Sequence, residues 1–168
     1  MKTILSRLKT LVQDNLGGAN TLSYVVSAEI VHPEIDLSKQ FIVGLPKVMI
    51  TPGRTIESWI ASQRKESKNT VTAYLLMIYH NRETGIVGDS SRSPNQGKGI
   101  VDFVSDFISV VRGHRLSVDG TKYLDRPLDI LSVTYNDPVV VGNGHILIAS
   151  VSMQCNYLFT QQTLPGNI

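Results

Sequence analysis

The stretch from Thr70 to His80 constrains the fold more than any other part of this sequence, because a strand formed by it is apolar on both faces. The stretch is rich in the β-branched and aromatic residues that strands favour. One face carries Val71, Ala73, Leu75, Met77 and Tyr79, and the other carries Tyr74, Leu76 and Ile78. Such a strand is expected inside a sheet that is covered on both sides.

Two amphipathic helices are predicted to cover one face of this sheet. The segments Ile4–Leu16 and Ile100–Arg112 place apolar residues at three- and four-residue steps. Gly17-Gly18 is expected to end the first helix, since glycine adopts the left-handed backbone of a helix C-terminus without strain. The predicted helix-to-sheet core includes Leu8, Val12, Phe103 and Phe107. The second face of the sheet also needs a cover. Either the chain itself supplies it, through Phe41–Ile50 or the segment around Trp59, or a neighbouring subunit does.

Further strands are predicted on both sides of the central one. Leu22–Val31 and His145–Phe159 alternate apolar and polar residues, which is typical of half-buried strands. Shorter extended segments are predicted at Phe41–Val43, Lys47–Ile50, Leu128–Tyr135 and Val139–Val141. Turns are predicted at Thr51-Pro52-Gly53, Asn136-Asp137-Pro138 and Gly142-Asn143-Gly144. The segment Arg54–Asn69 is ambiguous between a helical turn and an irregular arm.

Two segments, Arg54–Asn69 and Asn81–Gly99, supply the residues that we expect at an assembly interface. Asn81–Gly99 is rich in glycine and serine, and a loop of this length is unusual in a compact domain unless it has a function. We expect it to gain order only against another chain, where its cations meet acidic groups. The candidate contacts in and next to the two segments are Trp59, Arg64, Lys65, Arg82, Arg92 and Lys98.

These elements predict one α+β domain over residues 1–160, followed by a loose tail over residues 161–168. The sheet is expected to be mixed and mostly antiparallel, with two main helices packed on one face. A chain of 168 residues buries enough surface to fold without disulfides or metals. Cys155, the only cysteine, lies in an alternating segment and is predicted to be a small buried hydrophobe.

The charge distribution argues against nucleic-acid and membrane-surface binding. The net charge is +2, and basic and acidic residues are mixed along the chain rather than clustered. No apolar run reaches the roughly 18 residues of a membrane helix. Arg7 and Lys9 interrupt the apolar N-terminal segment, so it does not resemble a signal peptide. The protein is therefore expected to stay in the cell that makes it.

Motifs of catalytic and metal sites are incomplete in this sequence. The four histidines are far apart and lack metal-ligand spacing. Gly88-Asp89-Ser90 resembles a serine-protease segment but lacks the glycines that follow it there. Gly97-Lys98 resembles the end of a phosphate loop, but Arg92 stands at the first glycine position and Gly99 at the hydroxyl position. We therefore predict no enzyme, cofactor or metal site, and keep open an α+β small-molecule enzyme domain whose site is assembled from distant residues.

The order of elements resembles the tail-terminator (tail-completion, minor-tail or head–tail joining) proteins of long-tailed bacteriophages. The resemblance rests on the helix Ile4–Leu16, the proline-containing strand Leu45–Ile50, the long strand Val71–His80, and a loop followed by the helix Ile100–Arg112. His114–Gly120 resembles the glycine-containing segment before the closing strands. The resemblance covers about Met1 to Phe159, although Phe41–Asn69 is longer and more basic than the family pattern.

The resemblance implies a virion protein of the phage neck, assembled in the cytoplasm of the bacterial host. It implies a homohexameric ring that caps the tail tube, ends tube polymerisation and joins the tail to the head. The implied partners are other copies of the chain, the tail-tube protein, the head–tail connector, and a sheath protein if the tail is contractile. DNA would only pass through the lumen, and no membrane or cofactor is implied. Another neck protein, an adaptor or head-closure protein, is the alternative within this class.

Overall fold

One five-stranded sheet organises the fold in the computed structural model. The structure describes residues 1–36, 44–61, 64–79, 82–89, 91, 97–117, 123–141 and 144–160. The elements in chain order are α1 (Lys2–Gln13), β1 (Ser27–Ile30), β2 (Lys47–Ala61), β3 (Arg64–Tyr79), α2 (Arg82–Val87), α3 (Ile100–Val111), β4 (Asp129–Val141) and β5 (Gly144–Thr160). The strand order is β1-β2-β3-β5-β4. Only β1 and β2 are parallel neighbours, so the predicted α+β class and mostly antiparallel sheet are confirmed.

The main core lies between the sheet and the two longer helices, as predicted. Leu8 and Val12 of α1 and Phe103 and Phe107 of α3 are completely buried. They join one cluster with the inward residues of the two central strands, which are Val71, Ala73, Leu75, Met77, Leu147, Ala149, Val151, Met153 and Cys155. The alternating apolar residues of β3 and β5 therefore pack against the apolar faces of α1 and α3 in a single layer.

A smaller apolar cluster lies on the other face of the sheet. It consists of Met49, Leu76, Ile146 and Ile148, all buried. Val31, Ile35 and Leu45, from the segments that precede β2, pack against it. The chain itself thus supplies part of the second cover, which was one of the two alternatives. The predicted segment Phe41–Val43 lies outside the described residues.

The prediction of a turn at Thr51-Pro52-Gly53 is wrong, because β2 continues through it to Ala61. The register shifts between Pro52 and Thr55, which marks a β-bulge. A side chain at Gly53 would lie 2.8 Å from the Thr70 carbonyl oxygen, so glycine permits the close approach of the two strands. Beyond the bulge β2 pairs with the start of β3, and neither the helical turn nor the irregular arm predicted for Arg54–Asn69 is found.

Two further strand predictions need correction. The segment Leu22–Val31 is a strand only over Ser27–Ile30, because Leu22 and Val25 take part in turns through backbone hydrogen bonds. Val26, one of the alternating apolar residues of this segment, is 59% exposed. The turn predicted at Asn136-Asp137-Pro138 is a register shift within β4, and an edge strand tolerates a proline at such a bulge.

The prediction of one long exposed loop over Asn81–Gly99 is also wrong for the part that the structure describes. Its first part forms the short helix α2, and the Asp89 N–H donates to the Gly97 carbonyl at 2.6 Å. The backbones of Gly88 and Gly99 touch, which closes the base of the loop. Residues 90 and 92–96 between these points, and the predicted tail over residues 161–168, lie outside the described residues.

Candidate assembly surface

The end of β2 and the start of β3 form a hairpin whose β2 strand is exposed. We call residues Gly53–Asn69 the arm. Every residue from Gly53 to Ala61 is exposed, whereas the preceding residues Val48–Thr51 are buried. Among the described strands, β1 pairs with β2 only as far as Ile50, so the outer edge of the arm has no strand partner there.

Three of the residues predicted at an assembly interface come together at the end of this arm. Trp59 and Lys65 are cross-strand neighbours, and Arg64 pairs with Ala61 beside them. The Lys65 ammonium lies 4.6 Å from the centre of the Trp59 ring, within the range of a cation–π contact. Trp59 is nevertheless 56% exposed, so the end of the arm carries an exposed indole beside the cations Arg64 and Lys65.

Ile56 and Ile60 add to the apolar surface of the arm, although they were not among the residues predicted at an interface. Both are about half exposed, and the alternation along β2 places Ile56 on the face opposite to Trp59. Their signal was present in the spacing of Ile56, Trp59 and Ile60, but that spacing is typical of a helical turn. The arm therefore carries apolar side chains on both of its faces.

Of the three predicted loop residues, only Lys98 has a described side chain, and it does not join the arm. Lys98 is held within the subunit, because its ammonium lies 2.9 Å from an Asp106 carboxylate oxygen and 5.8 Å from the centre of the Tyr24 ring. Arg82 is the first residue of α2, which follows the end of β3 that is farthest from the arm. Measured along β3, the Arg82 backbone is on the order of 50 Å from Arg64. The side chain of Arg82 and all of Arg92 lie outside the described residues.

The opposite edge of the sheet, β4, is the second exposed strand. Among the described strands it pairs only with β5. Its exposed apolar residues are Leu131, Tyr135 and Val140. Tyr135 also lines an apolar groove of about 250 Å³ with Ile86, Val101 and Pro138. The sheet thus has an exposed strand on each side.

A second cavity lies between α1 and the arm. It has a volume of about 340 Å³, and its lining includes Ile4, Glu57, Ser67, Asn69 and Tyr157. The polar groups in it bond one another, since the Thr55 hydroxyl donates to the side-chain amide oxygen of Asn69 at 2.9 Å and the Asn69 side-chain NH2 donates to the Ser67 hydroxyl at 3.0 Å. This network joins β2 to β3 at the base of the arm.

Among the described residues, two titratable groups have clearly shifted pKa values, and burial is the main cause for both. Burial, followed by the negative charge of Asp106, raises the pKa of Tyr24 above its ordinary range, and the Tyr24 hydroxyl donates to that carboxylate at 3.0 Å. Burial likewise raises the pKa of Cys155 to about 12. Neither side chain lines either of the two cavities.

We expect Cys155 to resist thiol reagents as long as the chain is folded. Its side chain is completely buried, and the thiolate is the reactive form. Iodoacetamide at neutral pH should therefore label denatured chain only. The pKa of this thiol is 9.0 in the unfolded chain and about 12 in the folded chain. Its contribution to the free energy of unfolding is therefore complete below pH 9.0 and is lost as the pH rises toward 12. Equal labelling rates with and without denaturant would contradict this assignment.

The described residues do not bring three His, Cys, Asp or Glu side chains together in a group that could hold a metal ion. None of the helices in the described part of the chain has the length and apolar character needed to cross a membrane. In comparisons with known proteins, no family model matches this chain, and no curated protein matches it either.

Proposed function

We propose that this chain is a structural ring subunit of a bacteriophage neck, a tail terminator that caps the tail tube and joins it to the head connector. The observation that carries the proposal is the pair of exposed strands, the arm of β2 and the strand β4, on opposite sides of one sheet. A surface on one side of a subunit that binds a different surface on the other side generates a ring when the rotation closes.

The composition of the arm supports a role in protein contacts. Tryptophan and arginine are enriched at the energetically important centres of interfaces, and the arm carries Trp59 beside Arg64 at its end and Arg54 at its base. Ile56 and Ile60 extend the apolar surface. The arm is the part of the subunit that we expect to reach a neighbouring copy, the tube protein or the connector.

An enzyme domain would be favoured by a cavity that contains a titratable group of shifted pKa. Cys155 lies in the core and Tyr24 packs against it instead. Burial explains the raised pKa of Cys155, and burial together with the carboxylates of Asp106 and Asp102 explains that of Tyr24. The exposed edges of the sheet therefore support an assembly role more strongly than the two cavities support an enzyme site.

Light scattering tests the proposal. We expect the purified chain to form a particle of about 111 kDa, six times the 18.5 kDa mass of one chain. When it is added to polymerising tail-tube protein of the same phage, tube growth should stop and the ring should appear at one end of the tubes. Tube protein that polymerises to the same length with and without the chain would contradict the proposed function. Bovine serum albumin at equal concentration is the control.

A further inference from the structure

The two exposed edges of the sheet carry opposite charge. The arm contains four basic residues and two acidic ones, and two of the bases already have partners in the arm. Lys65 lies 3.9 Å from Glu57, and Lys68 lies 3.5 Å from Glu66. Within the described residues, Arg54 and Arg64 form no such ion pair, and both are exposed. The arm therefore has two cations left for a contact outside the subunit.

The strand β4 has the complementary charge. Between Asp129 and Val141 it contains two carboxylates, Asp129 and Asp137, and no lysine, arginine or histidine. Both carboxylates are exposed beside the apolar side chains Leu131 and Tyr135. Opposite charges around apolar contacts are the arrangement that gives an interface its specificity.

The strand directions are also compatible with pairing between copies. β2 is antiparallel to β3, β3 to β5, and β5 to β4, so β2 and β4 run in opposite directions. A rotation about an axis along the strands preserves these directions, and β2 of one copy then meets β4 of the next in antiparallel orientation. Unpaired N–H and C=O groups on an edge strand are a template for such pairing. Pro138 lacks an N–H, so the pairing is expected to stop before it.

Other pairings of the edges are less favourable. Arm against arm brings together two surfaces that are both positive, and β4 against β4 brings together two that are both negative. The outer edge of β5 beside the arm is occupied, because the Asp125 N–H donates to the Asn156 carbonyl at 3.2 Å and an Asp125 carboxylate oxygen accepts from the Leu158 N–H. Of the combinations of the arm and β4, this leaves the arm of one copy with β4 of another.

We propose that the arm of one copy pairs with β4 of a second copy, and that Arg54 and Arg64 meet Asp129 and Asp137 at this contact. This inference specifies the self-contact of the ring and rests on the proposed function only in requiring that a ring forms. It does not depend on what the ring caps.

Charge-reversed variants test the contact. In the arm variant, Arg54→Glu and Arg64→Glu make the arm acidic, and in the β4 variant, Asp129→Lys and Asp137→Lys make that strand basic. Each variant alone then has like charges at the contact, and we expect its mass in light scattering to fall to 18.5 kDa. An equal mixture of the two, and a single chain with all four changes, should recover the mass of the wild-type particle. The control, Lys2→Glu with Arg112→Glu, reverses two exposed cations on the helices and should keep that mass.

Several results would overturn the proposal. It is wrong if the β4 variant alone assembles like the wild type. It is also wrong if the mixture of the two variants stays monomeric although both variants melt like the wild type. A wild-type chain that remains at 18.5 kDa up to its solubility limit would contradict it as well. If a variant does not fold, the dissociation of the wild-type particle on dilution decides the question. Attraction between exposed charges weakens as salt is added, so a dissociation constant that does not rise with salt excludes the charge contact. Charge rescue without any effect on tube growth would contradict the proposed function alone. Tube capping that the charge reversals leave unchanged would contradict this contact alone.

Discussion

Replacing Phe107 with alanine is expected to lower the free energy of unfolding by about 3–5 kcal/mol, the range for a large buried aromatic side chain. Phe107 has no exposed surface and packs in the main core between α3 and the sheet. Its removal loses the transfer free energy of the ring and leaves a cavity that the surrounding residues fill only in part. Denaturant melts followed by circular dichroism measure the difference.

A matched control for this prediction lies on the same helix. Val101 is 42% exposed, and Val101→Ala should change the free energy of unfolding by no more than about 0.5 kcal/mol, as surface substitutions usually do. Phe103→Ala should behave like Phe107→Ala, with the additional loss of its edge-to-face contact with Tyr24, whose ring centre is 5.7 Å away. A loss below about 1 kcal/mol for either phenylalanine would mean that the α3 stripe does not form the core.

The substitution Gly99→Val is expected to cost about 3 kcal/mol, near the upper end of the usual range for overpacking. A Cβ atom at Gly99 would overlap the backbone nitrogen of Gly88 and the carbonyl oxygen of Ile86. Both are main-chain atoms at the end of α2, so they cannot move aside as a side chain would. Gly99 also begins α3, where its N–H donates to an Asp102 carboxylate oxygen at 3.0 Å. The valine therefore has to separate the two helices at this point.

Thermal melts test this prediction. For a chain of this size, about 3 kcal/mol corresponds to a fall in melting temperature on the order of 6–12 °C. Gly17→Ala is the control, since that glycine has open space around it and a φ of 69°, and should cost only the roughly 1–2 kcal/mol of a left-handed backbone. If Gly99→Val melts with the wild type, the contact that closes the loop base does not exist in solution.

The helices and central strands were predictable because their signals are local. The stripe of α3 and the alternation of β5 each repeat over enough residues to identify the element and its buried face. Cys155 was predicted as a buried hydrophobe from the same alternation, and it is completely buried. The two apolar faces of Thr70–His80 likewise predicted a central strand, and β3 lies third in the sheet.

The arm was not predictable in the same way, because non-local pairing decides its structure. Ile56, Trp59 and Ile60 have the spacing of a helical turn, and Pro52-Gly53 has the composition of a turn. Pairing with β3, from Thr55 with Asn69 to Ala61 with Arg64, outweighs both local signals. Local propensity is a weak preference that tertiary hydrogen bonds and packing regularly override.

The amino-acid sequence by itself determined the α+β class, the two long helices, the central strands and the residue types available for an interface. The tertiary structure decided which of those residues are free to act. Lys98 looked like a loop cation, but folding places it 2.9 Å from Asp106, whereas Trp59, Arg64 and Lys65 become one exposed surface through the register of β2 and β3. It also decided that β4 is at an edge and that β2 is left unpaired beyond Ile50 among the described strands. Edge position depends on the order in which distant strands pair, and no local pattern encodes that order.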